Sequence, residues 1–222
     1  MVRIEHVYKT YGGIYPALDD VSLEIEKGEF VFLTGASGAG KTPLLKLMFC
    51  EERGEKGSLF VNNRNLFELK DREIPYLRRK IGFVFQDFKL IHRKTIYDNI
   101  ALPMEMVGAS GKQLKRRVKE VLEMVRLTGH EQKFPDGISA GEQQRVAIAR
   151  AMVNHPLLLL ADEPTGNLDE LLSLEILDLL KNINAIGTTV IVATHQRHAI
   201  SQIQSRMIAL DHGRIIENRI NE

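Results

Sequence analysis

The chain has a single cysteine among its 222 residues, Cys50. That excludes an intramolecular disulfide and suits the cytosol. Following Met48-Phe49, it reads as a buried thiol. No apolar run approaches the ~18–20 residues of a membrane span, and no signal-like segment opens the chain. Work at a membrane would therefore borrow its spans from another chain. Charge of one sign is missing too. Lys and Arg number 30 against 29 Asp and Glu, a formal net charge of +1, so there is no global pull toward nucleic acid or anionic lipid. The basic clusters Arg78-Arg79-Lys80 and Lys115-Arg116-Arg117 read as solvated helix faces. No internal repeat, low-complexity tract or long linker interrupts a chain long enough to bury a sizeable core.

What the chain does have is a glycine-rich loop of fixed spacing. Residues 35–42 read Gly35-Ala36-Ser37-Gly38-Ala39-Gly40-Lys41-Thr42 and fit G-x-x-x-x-G-K-[ST]. Phe30-Val31-Phe32-Leu33 leads in and Leu44-Leu45-Lys46-Leu47-Met48 follows, giving strand, glycine loop and helix. Glycine lets the backbone turn tightly enough for several N–H groups to face one phosphate chain. The helix N-terminus adds partial positive charge. The motif predicts Lys41 on the β- and γ-phosphates of a nucleotide and the Thr42 hydroxyl on Mg²⁺.

The expected architecture is mixed α/β. Val2, Ile4 and Val7 open a strand, and Val21–Ile25 alternates with period two, as an antiparallel sheet with one wet face requires. Leu157–Ala161 and Val190–Ala193 are instead continuously apolar, which suits parallel strands buried on both sides. Residues 170–183 read as the crossover helix between them. A middle section, roughly 87–137, reads as helical. Ser110-x-x-Gln113 is a capping box before Leu114, Val118, Val121, Leu122 and Val125 at helical spacing. Residues 207–216 read as a hairpin turning near Asp211-His212-Gly213.

Two further segments carry chemistry. The four-leucine strand ends in Asp162-Glu163, and a buried strand ending in two carboxylates is costly unless a cation waits there. Asp162 is the candidate to hold Mg²⁺ and Glu163 to polarise an attacking water. Ser139-x-x-Glu142 is a second capping box, opening a helix whose Ala140-Gly141 first turn leaves its N-terminus open to an anion.

Ile138-Ser139-Ala140-Gly141-Glu142-Gln143 resembles the Leu-Ser-Gly-Gly-Gln signature of ATP-binding cassette (ABC) ATPases, and it lies just before the Asp162-Glu163 strand, as in that family. Gln86, after Ile81–Phe85, looks like the Q-loop glutamine. Gly166-Asn167-Leu168-Asp169 looks like the D-loop, His195 like the switch histidine, and Tyr11 like the aromatic that stacks on adenine. The resemblance covers essentially the whole chain, 1–222, as one ABC ATPase domain. It implies a P-loop, mainly parallel core sheet with an N-terminal antiparallel β subdomain (1–86 and 157–222) and an inserted α-helical subdomain (87–156, signature helix included). It implies hydrolysis of ATP with Mg²⁺, with Glu163, His195, Gln86 and Lys41 catalytic and Thr42, Gln86 and Asp162 at the metal. The nucleotide would be contacted by Tyr11, by residues 35–42 with Pro43, and by Ser139, Gly141, Glu142 and Asp169. In the family two copies pair head to tail on ATP, so that Ser139 of one covers the nucleotide of the other.

Within the family, Tyr76–Gly82, Phe85-Gln86-Asp87, Tyr97–Ala101, Gly108–Gly111 and Gly141–Arg145 look most like the cell-division members. These pair with an integral membrane partner and couple ATP turnover to cell-wall hydrolases across the envelope. The resemblance implies a cytoplasmic protein, peripheral on the inner face of the cell membrane, that meets its partner through Gln86–Ile91. Phe88, Leu90 and Ile91 either offer that partner apolar contact or lie buried under the helical subdomain. Ala161–Asp169 is shared with lipoprotein-release and macrolide-export ATPases, so a transporter subunit remains an alternative, as does a regulatory module with weak hydrolysis. The chain departs from the pattern at Ala140 for the first signature glycine, at Glu142 for the signature glutamine, and at Pro43 where relatives carry Thr or Ser. Proline offers neither N–H nor hydroxyl to an α-phosphate and disfavours helical geometry at Thr42.

Overall fold

The structure is a computed structural model and describes residues 1–13, 15–196, 200 and 203–220. Alternation builds the first sheet. Strand β1 (Val2–Tyr11) buries Val2, Ile4 and Val7 and pairs antiparallel with β2 (Tyr15–Ile25) and β4 (Lys56–Val61), which β5 (Arg64–Asn65) extends. The continuously apolar segments build the second. Strands β3 (Phe30–Thr34), β6 (Ile81–Val84), β7 (Leu158–Asp162) and β8 (Thr189–Ala193) are buried at every position. They form the parallel centre of a six-stranded sheet ordered β10-β9-β3-β8-β7-β6. Strand β9 (Arg206–Asp211) runs parallel to β3, and β10 (Arg214–Ile220) closes the edge antiparallel. Their turn is His212-Gly213, with φ of 45° and 78°, the doubly left-handed geometry that matches strand twist.

Among the described residues the α-helices are α1 (Lys41–Met48), α2 (Ile74–Arg78), α3 (Ile96–Glu105), α4 (Gly111–Met124), α5 (Ala140–Met152) and α6 (Glu170–Ala185). The period of two along β3 divides the core. Phe30 and Phe32 point to one face, where they cluster with Ile100, Val118, Val146 and Leu180 of α3 to α6. Val31 and Leu33 point to the other, where they cluster with Leu44 and Leu45 of α1 and Ile4 and Leu59 of the antiparallel sheet. Leu90 is buried in the helix-side cluster with Phe88 packed against it, while Ile91 stays exposed.

Two expectations are corrected. Ser110 precedes α4, but its side chain makes no capping hydrogen bond. Gly111, the first helical residue, holds φ 63°, outside helical geometry, which takes the hydroxyl out of line with the third N–H. Arg117 is not part of a solvated face. It is buried, and its guanidinium donates to the carbonyl of Val153 (2.9 Å) and to that of Met152 (2.7 Å), which also accepts His155 N at 3.1 Å, at the end of α5.

Candidate active site

Three neighbouring parallel strands deliver the site at their C-terminal ends. Loop 35–40 follows β3, Glu163 follows β7, and His195 follows β8. In the loop, Gly40 holds φ 109°, and a methyl there would lie 2.6 Å from the Ala17 carbonyl oxygen, so a side chain would be both strained and crowded. Helix α1 starts immediately after it. Its first i→i−4 bond runs from Leu44 N to Gly40 O at 3.1 Å. Pro43 therefore sits among N–H groups that have no intrahelical partner, and its ring breaks no helix bond. The bias against helical geometry at Thr42 is overridden: Thr42 lies inside α1, held by that turn and by the burial of Leu44 and Leu45. The helix start still lacks one donor at position 43.

The charged groups interlock. Lys41 is buried, and its ammonium donates to Gly35 O (2.8 Å) and Ala36 O (3.0 Å), 3.7 Å from Glu163 Oε1. Glu163 is left-handed, φ 45°, a conformation its N–H fixes by donating to Ala193 O at 2.9 Å. Glu163 Oε1 lies 2.8 Å from His195 Nδ1. Its other oxygen, Oε2, is buried and has no hydrogen-bond partner among the described residues. Such an oxygen is costly unless a ligand or water satisfies it. Asp162 Oδ1 accepts the Thr42 hydroxyl at 3.1 Å. Burial pushes the Asp162 carboxyl above its usual range, and the Thr42 bond pulls it back. A hydroxyl and a desolvated carboxylate side by side form an all-oxygen donor set that fits a hard divalent cation.

A cleft of about 430 Å³ gathers Tyr11, Ser37, Gly38, Gly40, Lys41, Thr42, Pro43, Gln86, Glu163 and His195 on its walls. Gln86 lines it without a bond to Thr42 or Asp162; its carbonyl accepts Asn167 Nδ2 at 3.1 Å. Gly35 and Ala36 present their carbonyls to Lys41. Ala39 lies buried behind the loop, its carbonyl accepting Gly213 N at 3.0 Å. Tyr11 is half-exposed at the cleft mouth, with its hydroxyl on Glu52 at 2.7 Å. Burial, then that bond, raises the phenol above its ordinary value. Lys9 and Lys46 also pair with Glu52. The charged run Glu51-Glu52-Arg53 after α1 is the one signal of this support in the sequence.

Ser139, Gly141, Glu142 and Asp169 are not brought to this cleft. Ser139 caps α5, and Glu142 Oε2 accepts its N–H and its hydroxyl, both at 2.8 Å. Those two bonds, then His130 with Nε2 3.1 Å from Glu142 Oε1, hold the Glu142 carboxyl below its usual range. Gly141 is buried against Leu172, where a methyl would meet that side chain at 3.3 Å. Asp169 caps α6 through Leu172 N at 2.9 Å.

Fold and cleft together define a class, and comparison bears it out. The ABC transporter family model matches residues 18–166, and the chain belongs to that family, as an ATP-hydrolysing cassette. Among its relatives, the cell division ATP-binding protein FtsE of Mycobacterium tuberculosis is 48% identical over 219 residues, 98% of this chain and 95% of that one. FtsE of Escherichia coli K12 is 48% identical over 215 residues, 97% of each chain. A solved ATP-binding cassette, dimeric and bound to ADP and Pi in a post-hydrolysis state, superposes with a TM-score of 0.90 at 38% identity, covering 99% of this chain and 98% of that one. No helix among the described residues is long and apolar enough to cross a membrane.

Proposed function

We propose that this cassette hydrolyses ATP as one half of a head-to-tail pair and transmits the pair's closing and opening to an integral membrane partner of the FtsX kind in cell division. The observation that carries the reading is Glu163, buried, strained and left with one unpartnered oxygen beside the phosphate loop. The loop N–H groups and Lys41 bind the β- and γ-phosphates, and Tyr11 offers its ring to the base. His195 occupies Glu163 Oε1, which leaves Oε2 to orient the attacking water and take its proton. Thr42, Asp162 and Gln86 would hold Mg²⁺, which supplies charge neutralisation to the phosphates when bound. The start of α5 lies outside this cleft in the same chain, so the far side of the γ-phosphate is left for a second copy. Ser139 and the start of α5 from that copy supply its donor. The exposed Ile91, beside the Gln86 loop, offers the membrane partner contact.

The test is Glu163→Gln. It is expected to bind ATP as the parent does while turnover falls about 10²- to 10⁴-fold, the usual contribution of a general base. Turnover at the parent rate would remove Glu163 from this role. Isolation of the tagged chain from detergent-solubilised membranes should bring down an integral membrane protein; recovery of the chain alone contradicts the partner.

A further inference from the structure

We propose that His130 is a positioning residue for hydrolysis, holding the Glu142 carboxylate and offsetting its charge at the start of α5 so that this helix start can face the nucleotide of a second copy. The inference rests on the head-to-tail reading above. Glu142 places a carboxylate on a surface that must approach a polyanion, and like charges brought together there repel. It also occupies the donors an anion would use, since the Ser139 N–H and hydroxyl both point at Glu142 Oε2 at 2.8 Å. His130 Nε2 lies 3.1 Å from the other oxygen, and the two side chains are 23% and 33% exposed, so the pair is partly shielded from solvent.

The imidazole's second nitrogen, Nδ1, lies 3.4 Å from the Thr128 carbonyl oxygen. Both ring nitrogens therefore face acceptors. A neutral imidazole can donate from one nitrogen only, while the imidazolium donates from both. When the ring is protonated it satisfies both acceptors, and the cluster of Ser139, Glu142 and His130 is then neutral overall. Without that charge the cluster carries a full negative charge where the phosphate must dock.

Other ionisable groups on the surrounding elements have partners elsewhere or none at Glu142. On the same loop, Glu131 accepts Gly129 N, and Asp136 is paired with His92 at 2.6 Å; Arg126 and Lys133 make no ion pair with Glu142. Helix α3 packs on this loop through Ile96 N to Lys133 O and Tyr97 N to Glu131 O. From it, Asp98 caps Thr95 N, and burial raises the Tyr97 phenol. On α5, Arg145 is paired with Glu175 at 2.6 Å. Among the described residues, His130 alone is paired with Glu142.

The test compares turnover of the parent, His130→Gln, Glu142→Gln and the double variant from roughly pH 6 to 8.5, across the range in which imidazoles lose their charge. The contribution of His195 is common to all four, so the differences between profiles are what count. At the acid end His130→Gln should turn over about tenfold more slowly than the parent, and the two should converge as pH rises. Glu142→Gln in the His130→Gln background should restore turnover, because no charge is left to offset. Superimposable profiles for the parent and His130→Gln, or a loss that Glu142→Gln does not relieve, overturn the proposal. Pairing is read separately, by sedimentation of Glu163→Gln with ATP. Failure of that protein to pair overturns the head-to-tail reading and this inference together. Pairing at pH ~6 that His130→Gln leaves unchanged overturns the inference alone.

Discussion

Pro43 removes from the start of α1 the one N–H that would face the α-phosphate next to those of Lys41 and Thr42. The helix tolerates it because its hydrogen-bond ladder begins one residue later, at Leu44. Pro43→Thr restores an N–H and a hydroxyl, and a hydrogen bond to a charged group contributes about 1.5–3 kcal/mol. The opposing loss of proline's rigidity is about 0.4–1 kcal/mol. Affinity for ATP and for ADP should both rise, roughly tenfold, since the α-phosphate is common to both. Calorimetric titration decides it; equal affinities in the two proteins would mean that the loop already compensates. At the same scale, Cys50 is buried and burial raises its thiol above the ordinary value. The thiolate is the nucleophile, so iodoacetamide should label the native protein far more slowly than the unfolded chain at the same pH. Equal rates would contradict the burial. The proline was legible in the sequence, and so were the groups in the cleft, because each stands in a motif of fixed spacing. Glu52 and His130 were not. Their partners, Tyr11 and Glu142, are 41 and 12 residues away and no local pattern links them.

Among the elements, α5 joins the two chemistries. Its start carries Ser139 and Glu142, and its end is tied to α4 by Arg117. Replacing Arg117 with Met keeps the bulk but leaves the Val153 carbonyl without its donor and Met152 O with His155 N alone. The loss is expected to be about 2–3 kcal/mol, the upper range for hydrogen bonds to a charged group, read as a lower urea midpoint with unchanged slope. An unchanged midpoint would show that solvent reaches those carbonyls. Ser139→Arg acts at the other end. It should leave ATP binding to the monomer unchanged and abolish turnover, because the obstruction falls on the other copy's nucleotide. Affinity and turnover falling together in the monomer would place Ser139 in the same-chain site. Strands β3, β7 and β8 were readable as buried because each carries an unbroken apolar run of four, and β1 and β2 as half-buried because they alternate. The burial of Arg117 was not readable: its segment looks like any basic helix face, and the carbonyls that hold it belong to residues 35 and 36 positions later.

On the head-to-tail reading, the molecule as a whole holds half of a site. Tyr11, the glycine loop, Glu163 and His195 converge in one cleft, while Ser139, Gly141, Glu142 and Asp169 lie outside it. On the same reading the two groups meet across two copies, a pairing for which the family resemblance was the sole sequence signal. The central claim is that ATP joins two copies so that each completes the other. It is tested most directly by light scattering of Glu163→Gln, where slowed hydrolysis preserves the closed state. With ATP and Mg²⁺ the protein should show twice its monomer mass, return to monomer with ADP, and remain monomeric with ATP once Ser139→Arg is added. A monomer at saturating ATP, or a dimer indifferent to Ser139→Arg, would contradict the account.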